Sequence, residues 1–356
     1  MAVTDHGRRA VALPRRVDEI TADWLTQALG DAFPGVVVRD HRRTAFIDGT
    51  AQKVRYELTY ADGPAGPSSL WVKGGFDPKG ARQGDAFANE VRFFRDLAPR
   101  LAVNTPACFF GGVDADSNNG VLVLEDLLNR AARFGRPTQP LSPEEASAVL
   151  TLQARLHGRF WRSEEVRAFP WLKPGGAIAG AGMVDQYFGL WEAAAPLPRF
   201  RHLTVGQRRR DRVQSAMHRL MADLRDDPAC VIHGDSQVGN VFFEPNGAAG
   251  YLDWQHCMLG HWGFDVAGFL ITALEVADRR AHERDILAGY LKELAASGGE
   301  ALAFEDAWRA YARYALWCFM WVMCPVEAHP EEVCCANAER ACAAIEDLGA
   351  LDLLGA

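Results

Sequence analysis

The sequence predicts an α+β chain of two lobes, a small antiparallel β-rich lobe followed by a larger, mainly helical one. Three observations carry this. At 356 residues the chain exceeds the size at which one core usually stops growing. Residues 35–75 and 107–124 read as strands around turn clusters, whereas most of the chain beyond residue 140 repeats at helical spacing. Inside that helical stretch, Cys230 to Trp254 forms a non-helical island with short apolar β stretches. Hydrophobic residues make up 49% and charged residues 24%, which excludes a disordered or fibrous chain. The net charge of −8 excludes a broadly basic nucleic-acid binder.

Element by element, Thr21 opens a short helix with Trp24, Leu25 and Leu29, and Gly30 stands at its stop. Val36–Val38, Lys53–Tyr60 and Leu70–Lys73 read as strands, the last two joined by a loop rich in Gly and Pro. A helix over Asp85–Leu97 places Phe87, Val91, Phe94 and Leu97 on one stripe and leaves Glu90 off it. A second hairpin pairs Ala107–Val113 with Val121–Leu124, and a hinge comes near residue 126. Two domains are therefore expected, residues 1–126 and 127–356. In the second, Ser142-Pro143-Glu144-Glu145 is a capping box with proline at the first helical position. Further helices are expected near 184–194, 205–225, 264–277, 280–297 and 304–323.

The longest apolar run, Tyr314–Cys324, is too short to span a bilayer. No apolar block succeeds the N-terminal arginines, so no signal peptide is visible and a cytoplasmic protein is expected. The eight cysteines include no CxxC pair. Cys334, Cys335 and Cys342 could bind metal, but small buried thiols in a reducing compartment are the simpler reading.

Chemistry concentrates in the island, His233-Gly234-Asp235-Ser236-Gln237-Val238-Gly239-Asn240, and in Leu252-Asp253-Trp254 after the next β stretch. Asp235 and Asn240, five apart across a loop, can face one point, and Asp253 can converge on it. A carboxylate with an amide oxygen suits Mg²⁺ bridging phosphates, leaving a second carboxylate as a base. The alternative is a polar hairpin whose Asp and Asn serve turns, which the strongly apolar flanking strands disfavour.

HGDxxxxN followed by Asp-Trp resembles the catalytic and metal-binding segments of the aminoglycoside phosphotransferase and choline kinase-like superfamily, closest to its ecdysteroid kinase-like branch. The resemblance extends in order through Leu70–Lys73, Asn89–Val91, Val123–Leu127, Leu156-His157, the island, and Gly263–Ala267. It implies a bilobal protein kinase-like fold and an ATP- and Mg²⁺-dependent transfer of phosphate to a small-molecule hydroxyl. Asp235 would accept or orient the acceptor proton, and Asn240 and Asp253 would hold Mg²⁺. Lys73, paired with Glu90, would contact phosphates, and the backbone of Glu125 to Leu127 would meet the adenine. The phosphate-covering loop would lie near Phe46–Lys53, with Gly49 and Thr50 cradling phosphate, although a single glycine replaces the usual three. His233 and His157 are expected to be structural, and Asp265 an N-cap or a loop anchor.

Eight of the ten tryptophans lie in the helical half, residues 127–356. They read first as core, and second as an aromatic-walled pocket for a hydrophobic alcohol of sterol, terpenoid or macrolide type. Acidic residues are scattered, which disfavours an aminoglycoside acceptor, and a choline-type kinase is a further alternative. A nucleotide-binding protein without catalysis would fit the same fold, but Lys73, Glu90, Asp235, Asn240 and Asp253 are all chemically competent. A protein kinase fits less well, because Trp254-Gln255 comes directly after Asp253 and little room remains for a peptide-docking segment.

Overall fold

The computed structural model describes residues 11–49, 51–76, 85–180 and 182–355. The chain forms two compact units. One comprises Met1–Arg100 and Thr105–Ala132, the other Leu101–Asn104 and Arg133–Ala356.

The first unit is built on a five-stranded antiparallel sheet of order β1-β2-β3-β5-β4. Its strands are β1 (Val38–Asp48), β2 (Gln52–Tyr60), β3 (Ser69–Gly74), β4 (Cys108–Val113) and β5 (Gly120–Glu125). Strand β1 runs ten residues beyond its expected end at Val38. It is an edge strand exposed along most of its length, so its charged sequence lacks the apolar alternation that marks a half-buried strand. Helix α1 (Ala22–Leu29) is capped by Thr21, whose hydroxyl accepts from Trp24 N at 3.1 Å. It buries Trp24, Leu25 and Leu29 in a cluster with Val54, Tyr56, Val72 and Val123, and burying one such leucine is worth about 2 kcal/mol.

Helix α2 (Ala86–Arg92) carries on as a π-helical turn, Phe93–Leu97, which together fill the expected helical span. Its approach to β5 requires Gly120, since a Cβ there would stand 2.3 Å from the Phe87 carbonyl oxygen.

The second unit is mostly helical. It contains α3 (Pro143–Arg159), α4 (Met183–Phe188), α5 (Trp191–Ala194), α6 (Arg210–Asp226), α7 (Trp262–Ala273) and α8 (Val276–Ala296), then α9 (Phe304–Tyr314), α10 (Met320–Met323), α11 (Glu331–Asp347) and α12 (Ala350–Leu353). The capping box is complete: Ser142 Oγ accepts from Glu145 N, and the Glu145 carboxylate accepts from Ser142 N. The expected helix at 264–277 starts earlier and stops at Ala273. Every residue of α7 is buried, so it has no polar face from which the sequence could mark its ends. The expected helix at 304–323 is broken by a 3₁₀ stretch, Ala315–Phe319.

The island supplies β7 (Cys230–Ile232), β8 (Val241–Phe243) and β9 (Ala249–Tyr251), and β10 (Met258–Gly260) comes just after it. With β6 (Arg133–Phe134) these make two small antiparallel sheets, β6-β8-β9 and β7-β10. Among the described residues no helix is long and apolar enough to cross a membrane. All eight cysteines are free thiols, and Cys334 and Cys342 are buried on α11.

Candidate active site

The loop between β7 and β8 is held by a buried carboxylate. Asp265, in the first turn of α7, accepts from the backbone N–H of His233 at 2.6 Å and of Gly234 at 3.0 Å. Its charge is further met by His157 Nε2 at 3.3 Å, while His157 Nδ1 takes the Tyr290 hydroxyl at 2.8 Å. Of the two expectations for Asp265 the loop anchor holds, and the N-cap of α7 is His261, whose Nδ1 accepts from Gly263 N. Gly234 has φ +82°, and a Cβ there would lie 2.2 Å from the His256 carbonyl oxygen. The turn that presents Asp235 therefore requires glycine.

His233 has the structural role expected of it. Its Nδ1 accepts from Asp235 N at 3.2 Å and its Nε2 donates to the Leu252 carbonyl at 2.8 Å. A neutral imidazole thus ties the backbone of Asp235 to the residue preceding Asp253. Leu252 N also donates to the Asn240 carbonyl at 2.8 Å, which sets Asn240 beside Asp253. The Asn240 side-chain Nδ2 donates to the Asp235 carbonyl at 2.9 Å and to its carboxylate at 2.8 Å. Asn240 therefore presents Nδ2 to Asp235 and keeps Oδ1 as an oxygen donor. Asp253 sits in the left-handed region at φ 63°, a conformation costly for a residue with a Cβ and concentrated at functional sites. Beneath the loop, Ser236, Tyr251 and Gln153 share hydrogen bonds of 2.6 Å. Burial also pushes the Tyr251 phenol well above its ordinary range. Sequence reasoning missed this buffer of neutral hydroxyls.

In the sheet unit, Lys73 Nζ and Glu90 join in a buried ion pair at 2.5 Å that ties β3 to α2. Glu125 ends β5. Its N–H is spent on the Ala107 carbonyl at 2.9 Å, and its carboxylate holds Arg130 and Ala107 N. Leu127 opens a 3₁₀ turn whose Ala132 N–H bonds its carbonyl at 3.2 Å. Between them Asp126 is fully buried, accepting from Arg55, Ser69 and Leu128 N. Gly49 lies at the tip of the β1–β2 hairpin with no close contact that demands glycine, and Thr50 lies outside the described residues.

A cavity of about 150 Å³ opens beside Asp235 in the helical unit, walled by Tyr187, Phe264, Trp317, Met320, Trp321 and His329. Burial raises the Tyr187 phenol and holds the His329 imidazole below its ordinary value, so both stay neutral near pH 7. A cluster of three or more His, Cys, Asp or Glu side chains suited to a metal is absent among the described residues. Asn240 Oδ1 and the Asp253 carboxylate are oxygen groups of the kind that would hold a hard cation.

Several solved structures are similar to this chain, and the first of those that follow supports the fold. A GDP complex of a variant aminoglycoside 2'-phosphotransferase-IIIa matches at TM-score 0.50 and 13% identity, covering 92% of this chain and 97% of its own. A macrolide 2'-phosphotransferase type I matches at TM-score 0.48 and 17% identity, covering 90% and 97%. A choline kinase from Streptococcus pneumoniae matches at 0.46 and 12%, covering 92% and 98%. No curated protein sequence matches. The model of the phosphotransferase enzyme family matches residues 57–317, from β2 through the Asp265 anchor to the tryptophan wall, and the chain belongs to that family.

Proposed function

We propose that the protein transfers the γ-phosphate of ATP to a hydroxyl of a small, hydrophobic acceptor. The observation that supports this most directly is the Asp235–Asn240 pair, a carboxylate held by an amide in a loop pinned by buried Asp265. Phosphoryl transfer asks a protein chiefly for positioning and charge neutralisation, and this loop is built for positioning. In this reading Asp235 orients the acceptor hydroxyl and takes its proton as the new O–P bond forms and the bond to ADP breaks. Mg²⁺ held by Asn240 Oδ1 and Asp253 would supply charge neutralisation to the phosphates. Lys73, fixed by Glu90, would contact the phosphates, and the Glu125–Leu127 backbone would meet the adenine edge. Gly49 and Thr50 belong to the phosphate-covering hairpin. A hydrophobic acceptor is favoured by the aromatic wall and by the absence of a second carboxylate among the described residues of the cavity.

Calorimetric titration with ATP, with and without Mg²⁺, tests the nucleotide half. Micromolar binding strengthened by Mg²⁺ is expected, and failure of both ATP and GTP to bind would overturn the reading.

A further inference from the structure

The segment from Ala315 to Met323 is packed on almost every side. Ala315, Leu316, Cys318, Phe319, Met320, Val322 and Met323 are buried, whereas Trp317 and Trp321 keep part of their surface open. The two indoles are four residues apart, which puts them on one helical face, and that face is the cavity beside Asp235. Trp317 leans on Phe264 at 4.7 Å between ring centroids, and Trp321 on His329 at 5.1 Å. Phe264 and His329 also line the cavity, so each indole and its aromatic neighbour together form the wall that a ligand meets.

Size and polarity define that ligand. A volume of about 150 Å³ holds one six-membered ring, the capacity of a benzene-sized apolar cavity. It lies well below the roughly 300–1,000 Å³ of pockets that enclose drug-sized molecules. Among the described lining residues Asp235 is the one charged group, so a polycationic sugar would bring more positive charge than the wall can meet. The polar groups besides Asp235 are Ser236, already bonded to Gln153 and Tyr251, and the neutral hydrogen-bonding groups of Tyr187, Gln237 and His329. A quaternary ammonium alcohol would leave them desolvated without partners, which costs about 1–3 kcal/mol for each group. A hydroxylated ring offers each a partner and lays its apolar face on the indoles.

Resting on the phosphotransferase reading, we infer that the cavity between Asp235 and the Trp317/Trp321 face selects one uncharged, hydroxylated six-membered ring with no second ring fused to it, either free or as a terminal ring joined by a single bond to a larger acceptor. Trp321 sets the size limit, and anything beyond the first ring stays outside the cavity. The ring can come from an alicyclic alcohol or from a neutral sugar.

The test is calorimetric binding of four probes to the ADP-loaded protein: cyclohexanol, methyl β-glucopyranoside, 2-decalinol and choline. Either single ring is expected to bind more tightly than 2-decalinol and choline, cyclohexanol marking an alicyclic source and the glucoside a sugar. Trp321→Ala is expected to improve 2-decalinol binding relative to cyclohexanol by about 10-fold, the scale of steric discrimination in an apolar pocket. Trp321→Phe should fall between, and it guards against a collapsed alanine variant. Tighter binding of choline or 2-decalinol by the unaltered protein, or an unchanged ratio in both variants, overturns the inference. ADP release from ATP with the bound ring is measured separately. Ring binding without release would refute the phosphotransferase reading and leave the ring selectivity standing.

Discussion

Asp235 and Asp265 are both carboxylates of one loop system, and their surroundings separate their tasks. Asp235 receives one amide from Asn240 and borders a cavity, whereas Asp265 is fully buried and accepts two backbone N–H groups. Replacing Asp235 with Ala should lower turnover by roughly 10²–10⁴-fold, the range for loss of a general base, while ATP affinity measured by calorimetry stays near normal. Near-normal turnover would remove Asp235 from the chemistry. Asp265→Ala should act differently. It strands two buried donors and His157, so the protein should lose about 3–5 kcal/mol in urea unfolding along with activity. At this scale the sequence exposes much of the site, because HGDxxxxN fixes both residue type and spacing. It does not show that His261 caps α7, or that Ser236, Tyr251 and Gln153 form one network. Those partners lie up to 98 residues apart, and only folding brings them together.

Elements differ in how openly the sequence declares them. The capping box before α3 is a local device, so Ser142 and Glu145 can be read directly. Ser142→Ala should cost about 1 kcal/mol in thermal unfolding and leave kcat unchanged; a change in kcat would mean that this helix start also serves the site. Helix α11 is hard to read because its buried face mixes small side chains, among them Cys334, Ala338, Ala341 and Ala344, with the polar Asn337 and Arg340, which gives a weak apolar period. Strand β1 is hard to read for the opposite reason, its residues being mostly polar on an exposed edge. The Lys73–Glu90 pair joins two elements. Lys73→Met removes the cation 2.5 Å from the buried Glu90 carboxylate, and should destabilise the protein by about 3–5 kcal/mol. Adding Glu90→Gln should recover much of that stability but not nucleotide binding. Recovery of both would make the pair purely structural.

For the whole molecule, acid is the informative variable. His261, stacked on Tyr314 at 4.8 Å, is held down to about 4 by burial, against its ordinary value of 6.5. The folded protein keeps it neutral while the unfolded chain takes up a proton near pH 6.5. Its contribution is therefore complete above that pH and is lost as the pH falls towards 4. The loss is of order 3 kcal/mol by linkage. Urea midpoints at pH 8, 6 and 4.5 should fall in that order, and less steeply in His261→Asn, which keeps a capping oxygen. Equal slopes would assign the acid sensitivity to other groups.

The chain path carries a further consequence. Leu101–Asn104 belongs to the helical unit although residues on both sides of it belong to the sheet unit. Its Asn104 carbonyl takes the Tyr251 N–H at 2.9 Å, two residues before Asp253. During synthesis on the ribosome this clasp emerges about 150 residues before its partner, at roughly 5–20 residues per second. For on the order of ten seconds or more, the first unit must carry a segment whose own place has not yet been made. A fragment begun at Arg133 would fold without that clasp, so the two units are not cleanly separable genes in tandem.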